Sequence, residues 1–221
     1  MTTDSTAQPF DESTRAAITR HLTDMPPVNG RQYRSSFNAI LGDARHAAGR
    51  NTTGKLVRLS ETLWLGATAY LVLLDQIGKT FTLANAINDR SRPPIYQALA
   101  CFTNLDPARI DALYALRCSL AHDYSLASPS KRPSRAHHLF KLAHDDHTPL
   151  VTLPTQPWPG DYNAIRGRDT VINLQKIGDL VENVVATLRR EHDRGHLRLH
   201  PCMNLAEFEV RYGLYFQAAE G

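Results

Sequence analysis

Residues 55–78 constrain the fold more than any other stretch of the chain. Leu56, Leu59, Leu63, Ala67, Tyr70, Leu74 and Ile77 recur every three or four residues, which sets them on one face of a long α-helix. A helix this apolar has to be covered along its length, so the rest of the chain must supply partners of similar length. Val171, Leu174, Ile177, Val181, Val184, Val185 and Leu188 form a second such face, with Asp169 or Thr170 as its expected N-cap and Gly195 as its stop. Shorter amphipathic segments fill in around these two. They are residues 11–25 with Ile18 and Leu22, and residues 36–48 with Phe37, Ile40, Leu41 and Ala44. Another helix opens at Pro93-Pro94, and one opens at Asp106-Pro107 carrying Ile110, Leu113, Leu116 and Leu120 as far as Tyr124. The last spans residues 205–216. Residues 138–143 and 150–153 flank Asp145-Asp146 and read as a β-hairpin. The expected architecture is therefore all-α: a helical bundle with one small β-hairpin inserted at about residues 137–154, after the helix that ends near Tyr124. Residues 1–34 read as a tail and short helix, and 35–221 as one domain.

Composition narrows the setting. The chain has 221 residues, 42% hydrophobic and 21% charged, the proportions of a folded globular domain rather than a disordered tail. Its longest apolar run, residues 63–74, is too short for a membrane span of about 20 residues, and residues 1–10 lack the marks of a signal peptide. A soluble, cytoplasmic protein with no membrane association is expected. Cys101, Cys118 and Cys202 are odd in number and far apart, which argues for reduced thiols and against a disulfide framework or thiolate zinc site. Lys and Arg exceed Asp and Glu by 25 to 22, a balance that permits a phosphate-bearing partner without requiring one.

Several motifs invite chemistry and read more simply as structure. Gly49-Arg-Asn-Thr-Thr-Gly54-Lys55 matches the GxxxxGK of a phosphate-binding loop, but Leu56 stands where Ser or Thr is needed to hold magnesium, and no strand precedes it. It reads as an interhelix loop. His192, His196 and His200 with Cys202 have suggestive spacing, yet Gly195 and Pro201 break the helix that would align them. His137, His138, His144 and His147 lie on the expected hairpin and its turn, where alternation sends neighbours to opposite faces unless Asp145 or Asp146 assists. No cofactor and no metal is expected.

The segment 113–124, Leu-Tyr-Ala-Leu-Arg117-Cys118-Ser119-Leu-Ala-His122-Asp123-Tyr124, is different in kind. Its leucines fix one face to the core and leave Arg117 and His122 near the helix end, about 140° apart in rotation but within an arginine's reach of a common ligand. Arginine can bind a non-bridging phosphate oxygen in a bidentate manner, and histidine can pass a proton near neutrality. The pair suits a phosphodiester. Cys118 and Ser119 sit one turn before His122, Asp123 and Tyr124 directly follow it, and Lys131, Arg132 and Arg135 lie just downstream, where they could hold backbone phosphates.

This Arg-x4-His run, with its leucine stripe before and polar break after, resembles the motif of the HEPN superfamily, all-α bundles of bacterial toxin–antitoxin, phage-defence and RNA-processing systems. The resemblance covers residues 55–190 in arrangement and the dozen residues around Arg117 and His122 in detail. It implies metal-independent RNA cleavage within a homodimer. Arg117 would steady the phosphate, His122 would act as general acid or base, and Ser119 would be an extra donor. An antitoxin or another protein is an implied partner. Catalytic members commonly carry Asn, Asp or His after the arginine, where this chain has Cys118. Members without nuclease activity use the same groove to bind a nucleotide or a partner, and that remains the alternative.

Overall fold

The computed structural model describes residues 11–23, 31–86, 91–130 and 135–217. The core is built around α3 (Leu63–Thr80), which packs against α2 (Ser36–Ala47), α4 (Pro94–Phe102), α5 (Pro107–His122) and α6 (Leu174–Asp193). Leu63, Ala67, Tyr70, Leu74 and Ile77 are buried as the sequence stripe requires, and so are Leu71 and Leu73 on the flanking faces. α3 starts later than the stripe does. Gly49 and Gly54 adopt left-handed backbone (φ 70° and 85°), and a bridge between Arg50 and Leu56 closes a loop there, leaving Leu59 exposed.

That loop is folded onto α6 rather than shaped for a ligand. The Arg50 guanidinium donates to the carbonyls of Gly54 and Gln175 and pairs with Asp179 at 2.8 Å. Glu182 accepts from Arg45 at 2.6 and 2.8 Å and from the Tyr70 hydroxyl at 2.7 Å, joining α2, α3 and α6. Burial works against the Glu182 charge, but these donors win and hold its carboxyl below the ordinary range. A side chain at Gly54 would collide with the Glu182 carboxylate.

The all-α expectation is overturned. The molecule is mixed α/β, with three sheets beside the helices among the described residues. β1 (Arg31–Ser35) pairs antiparallel with β8 (Gly213–Gln217), and β2 (Phe81–Leu83) with β7 (Leu197–Leu199). The third sheet has the order β3-β4-β6-β5, from β3 (Ala127–Ser128), β4 (His138–Ala143), β5 (Val151–Thr152) and β6 (Asp169–Asn173). The expected hairpin does not form. β4 and β5 exist but do not pair; β6 lies between them, parallel to β4 and antiparallel to β5.

The cause is the run Thr170-Val171-Ile172, β-branched throughout and buried at Thr170 and Ile172, a pattern that favours a central strand over a first helical turn. Asn173, not Asp169 or Thr170, caps α6. Its side-chain oxygen accepts from the Gln175 and Lys176 amides, and its Nδ2 donates to the carbonyls of Asp145 and Thr148. The last helix is likewise shortened to α7 (Leu205–Tyr212) because residues 213–217 turn extended to pair with β1.

The first helix, α1 (Glu12–Leu22), buries Ala17, Ile18, His21 and Leu22 against α2, α6 and α7. His21 is fully buried among the rings of Phe37, Phe81, Phe208 and Tyr212. Gln76 Nε2 lies 3.3 Å from His21 Nε2, and the other ring nitrogen, Nδ1, is buried with no hydrogen-bond partner among the described residues. Burial pushes the His21 pKa down to about 3.

The unfolded chain therefore takes up a proton at His21 below about pH 6.5, whereas the folded cage refuses it until about pH 3. Stability is lost as pH drops through that window, by at most roughly 1.4 kcal/mol per unit from this group. His21→Leu is expected to flatten the loss of stability between pH 6.5 and pH 4 relative to the parent, as measured by urea denaturation at each pH.

Candidate functional site

The segment that carries Arg117 and His122 forms the last two turns of α5. Asp106 caps the N-terminus of α5 by accepting from the Arg109 amide at 3.0 Å, and Pro107 follows in the first turn. Ile110, Leu113, Leu116 and Leu120 are buried and set the rotation of the helix. Arg117 then turns inward, and His122 ends the helix exposed to solvent.

Arg117 meets a residue that the motif does not contain. Its Nε forms an ion pair with Asp75 Oδ2 that lacks hydrogen-bond geometry, and the two side chains are 24% and 11% exposed. Asp75 lies in the middle of α3, and its other oxygen accepts from the Ile95 amide at 3.1 Å. That amide is an orphan donor in the first turn of α4. Gly78, one turn further along α3, allows the approach, since a Cβ there would collide with the Pro94 carbonyl. One carboxylate thus joins α3, α4 and α5. Among the described residues the terminal amino groups of Arg117 make no hydrogen bond, and His122 makes neither a hydrogen bond nor an ion pair.

The neighbouring residues divide into structural and accessible groups. Ser119 is buried, and its hydroxyl donates to the Ala127 carbonyl at 3.3 Å, so it closes the turn into β3. Cys118 is a half-buried free thiol. Asp123 is the exposed C-cap, its amide bonded to the Ser119 carbonyl at 3.1 Å. Tyr124 is 56% exposed and is the one non-glycine with positive φ (50°) among the described residues. Its ring meets Trp64 of α3 nearly at right angles, with centroids 4.9 Å apart. Arg135 places its guanidinium over the Tyr114 ring on α5, 4.6 Å from the centroid, a cation–π contact. Lys131 and Arg132 lie outside the described residues.

The histidines that suggested a metal are dispersed. His192 bonds Thr19 at 2.8 Å, His196 pairs with Glu191, and His200 bonds Gln97 at 3.0 Å. His137 accepts from the Ser130 amide, and buried His138 bonds Thr170 at 3.0 Å, burial lowering its pKa. No group of three or more His, Cys, Asp or Glu able to hold a metal occurs among the described residues.

Asp75 is the partner that sequence reasoning missed. A lone carboxylate within Leu71-Val-Leu-Leu-Asp75-Gln-Ile77 on a buried helix demands a donor, and that was the available signal. Nothing in the sequence marks a second feature, a cavity of about 530 Å³ between β2 and the outer face of α4. Phe81, Thr82, Leu83, Tyr96, Gln97 and Cys101 line it, and burial raises the Cys101 thiol pKa. None of its lining residues belongs to the α5 motif.

No protein-family model, curated protein or solved structure matches the chain. No helix among the described residues is long and apolar enough to cross a membrane.

Asp75→Asn keeps an acceptor for the Ile95 amide but leaves Arg117 without its counter-charge, and is expected to cost about 1–3 kcal/mol in urea denaturation given the partial exposure of Arg117. Asp75→Ala should cost more, because the Ile95 amide is then orphaned as well.

Proposed function

We propose that the C-terminal end of α5 is a phosphodiester site at which the protein cleaves RNA without a metal ion, as a ribonuclease or ribonuclease-like effector of a bacterial defence or stress system. The observation that carries this reading is the division of labour between Arg117 and His122. Asp75 places its charge beside Arg117 Nε without a hydrogen bond to it, and the terminal amino groups, which bond nothing among the described residues, are left for an anion. His122, exposed at the helix end, is accessible to substrate.

In the reaction, the ribose 2′-oxygen attacks the adjacent phosphorus, the bond to the 5′-oxygen breaks, and a 2′,3′-cyclic phosphate forms. His122 takes the hydroxyl proton or supplies one to the leaving oxygen. Arg117 stabilises the charge that develops on the non-bridging oxygens. A single chain offers one such histidine, so a homodimer with two facing α5 ends is the proposed assembly. An antitoxin that covers this end is a proposed regulator.

The ion pair also favours a second reading. With Asp75 balancing its charge, Arg117 presents little net positive potential, and Cys118 occupies the position where catalytic HEPN-like chains carry a polar side chain. A catalytically silent module that binds a nucleotide or protein partner at the same end fits these two facts.

Incubating the purified protein with RNA separates the readings. Cleavage is expected to persist in EDTA and to leave 2′,3′-cyclic phosphate ends. His122→Ala is expected to lose about 10²–10⁴-fold in rate with little change in RNA affinity, and Arg117→Ala to weaken both. Binding without cleavage would favour the silent module, and cleavage that vanishes in EDTA would contradict the mechanism.

A further inference from the structure

Tyr124 occupies a position where a helix calls for glycine. The Ser125 amide bonds back to the Ser119 carbonyl at 3.2 Å, and the chain turns out of α5 through left-handed backbone at Tyr124 (φ 50°). Glycine is favoured in such a turn because a Cβ is strained there. A bulky residue in this conformation is an outlier, and strained residues of this kind cluster at active and ligand-binding sites.

Burial does not compensate the strain. Tyr124 is 56% exposed, and its one ring contact among the described residues is the edge-on indole of Trp64, itself half-buried on α3. The ring is thus propped from one side, open to solvent elsewhere, and two residues from His122. Leu126, two residues further along the chain, is 39% exposed.

We propose that Tyr124 is a base-stacking residue: an unpaired nucleic-acid base adjoining the phosphate held at Arg117 and His122 lies on the exposed part of its ring. The proposal rests on the phosphodiester reading of the α5 end and adds to it the class of substrate, a single strand whose bases are free to stack. Every base has a π-face, so the contact favours base-bearing single strands over duplexes with little sequence preference. Trp64 is a positioning residue that fixes the ring.

The test uses two fluorescein-labelled 12-nucleotide strands of 2′-O-methyl RNA, which attack by the 2′-oxygen cannot cut. One carries all its bases and the other is abasic through its central six positions. Fluorescence anisotropy with the full-length protein is expected to show roughly tenfold tighter binding of the base-bearing strand. Tyr124→Gly should lose that preference while binding the abasic strand as the parent does, and its melting temperature should be unchanged or raised, since glycine relieves the turn. Tyr124→Phe should keep the preference.

Equal binding of the two strands by the parent protein, or an undiminished preference in Tyr124→Gly, would overturn the stacking role and leave the phosphate site standing. Failure of the parent to bind either strand would overturn both. A lowered melting temperature in Tyr124→Gly would show that the tyrosine serves the fold, against the proposal.

Discussion

A carboxylate in the middle of an apolar helix is costly unless it is compensated, and Asp75 is compensated from two directions, by a hydrogen bond and by an opposite charge. One oxygen takes the orphan amide at the start of α4, and the other takes the guanidinium of Arg117 on α5. Burial of the aspartate makes both partners necessary, because an unpaired charge at that depth is far more expensive than an unpaired charge at the surface. The positions of α4 and α5 relative to α3 are therefore fixed by chemistry as well as by leucine packing. The same contact sets a counter-charge beside the one arginine in the motif. Stability of the core and geometry of the candidate site depend on a single side chain.

A second polar cluster performs the parallel task on the other flank of α3. Glu182 gathers Arg45 and Tyr70, and Arg50 ties the loop after α2 to α6 through Gln175 and Asp179. Such buried polar networks specify one packing among many that leucine and valine alone would allow. Together the two clusters explain why helices of ordinary amphipathic pattern settle around α3 in one arrangement, and why the glycine-rich loop beside Arg50 is structural.

The helices were legible in the sequence because their periodicity is a local property. Leu63 to Ile77 and Leu174 to Leu188 lie where their spacing puts them, and Pro94 and Pro107 open helices as expected. The sheets were not legible because their pairing is remote. β1 meets β8 across nearly the whole chain, and β4 and β6 are joined by a long excursion through β5. In sequence Thr170-Val171-Ile172 reads as the start of a helix because Val171 continues the helical spacing, and only the β-branched run argues otherwise. For the site, Arg117 and His122 were visible as a motif, whereas Asp75 and Trp64 reach it from another helix. Tyr124 was visible as a residue, but its left-handed backbone and exposed ring belong to the folded turn.

A double-mutant cycle on Asp75 and Arg117 tests this account most directly. Urea denaturation of the parent, Asp75→Asn, Arg117→Met and the double variant yields the coupling between the two side chains free of their other contacts. The structure predicts a coupling of about 1–2 kcal/mol, with Arg117→Met recovering part of the stability lost in Asp75→Asn. Additive effects, within about 0.3–0.5 kcal/mol, would show that the ion pair does not join α3 to α5 and would remove the basis on which Arg117 is held at the site.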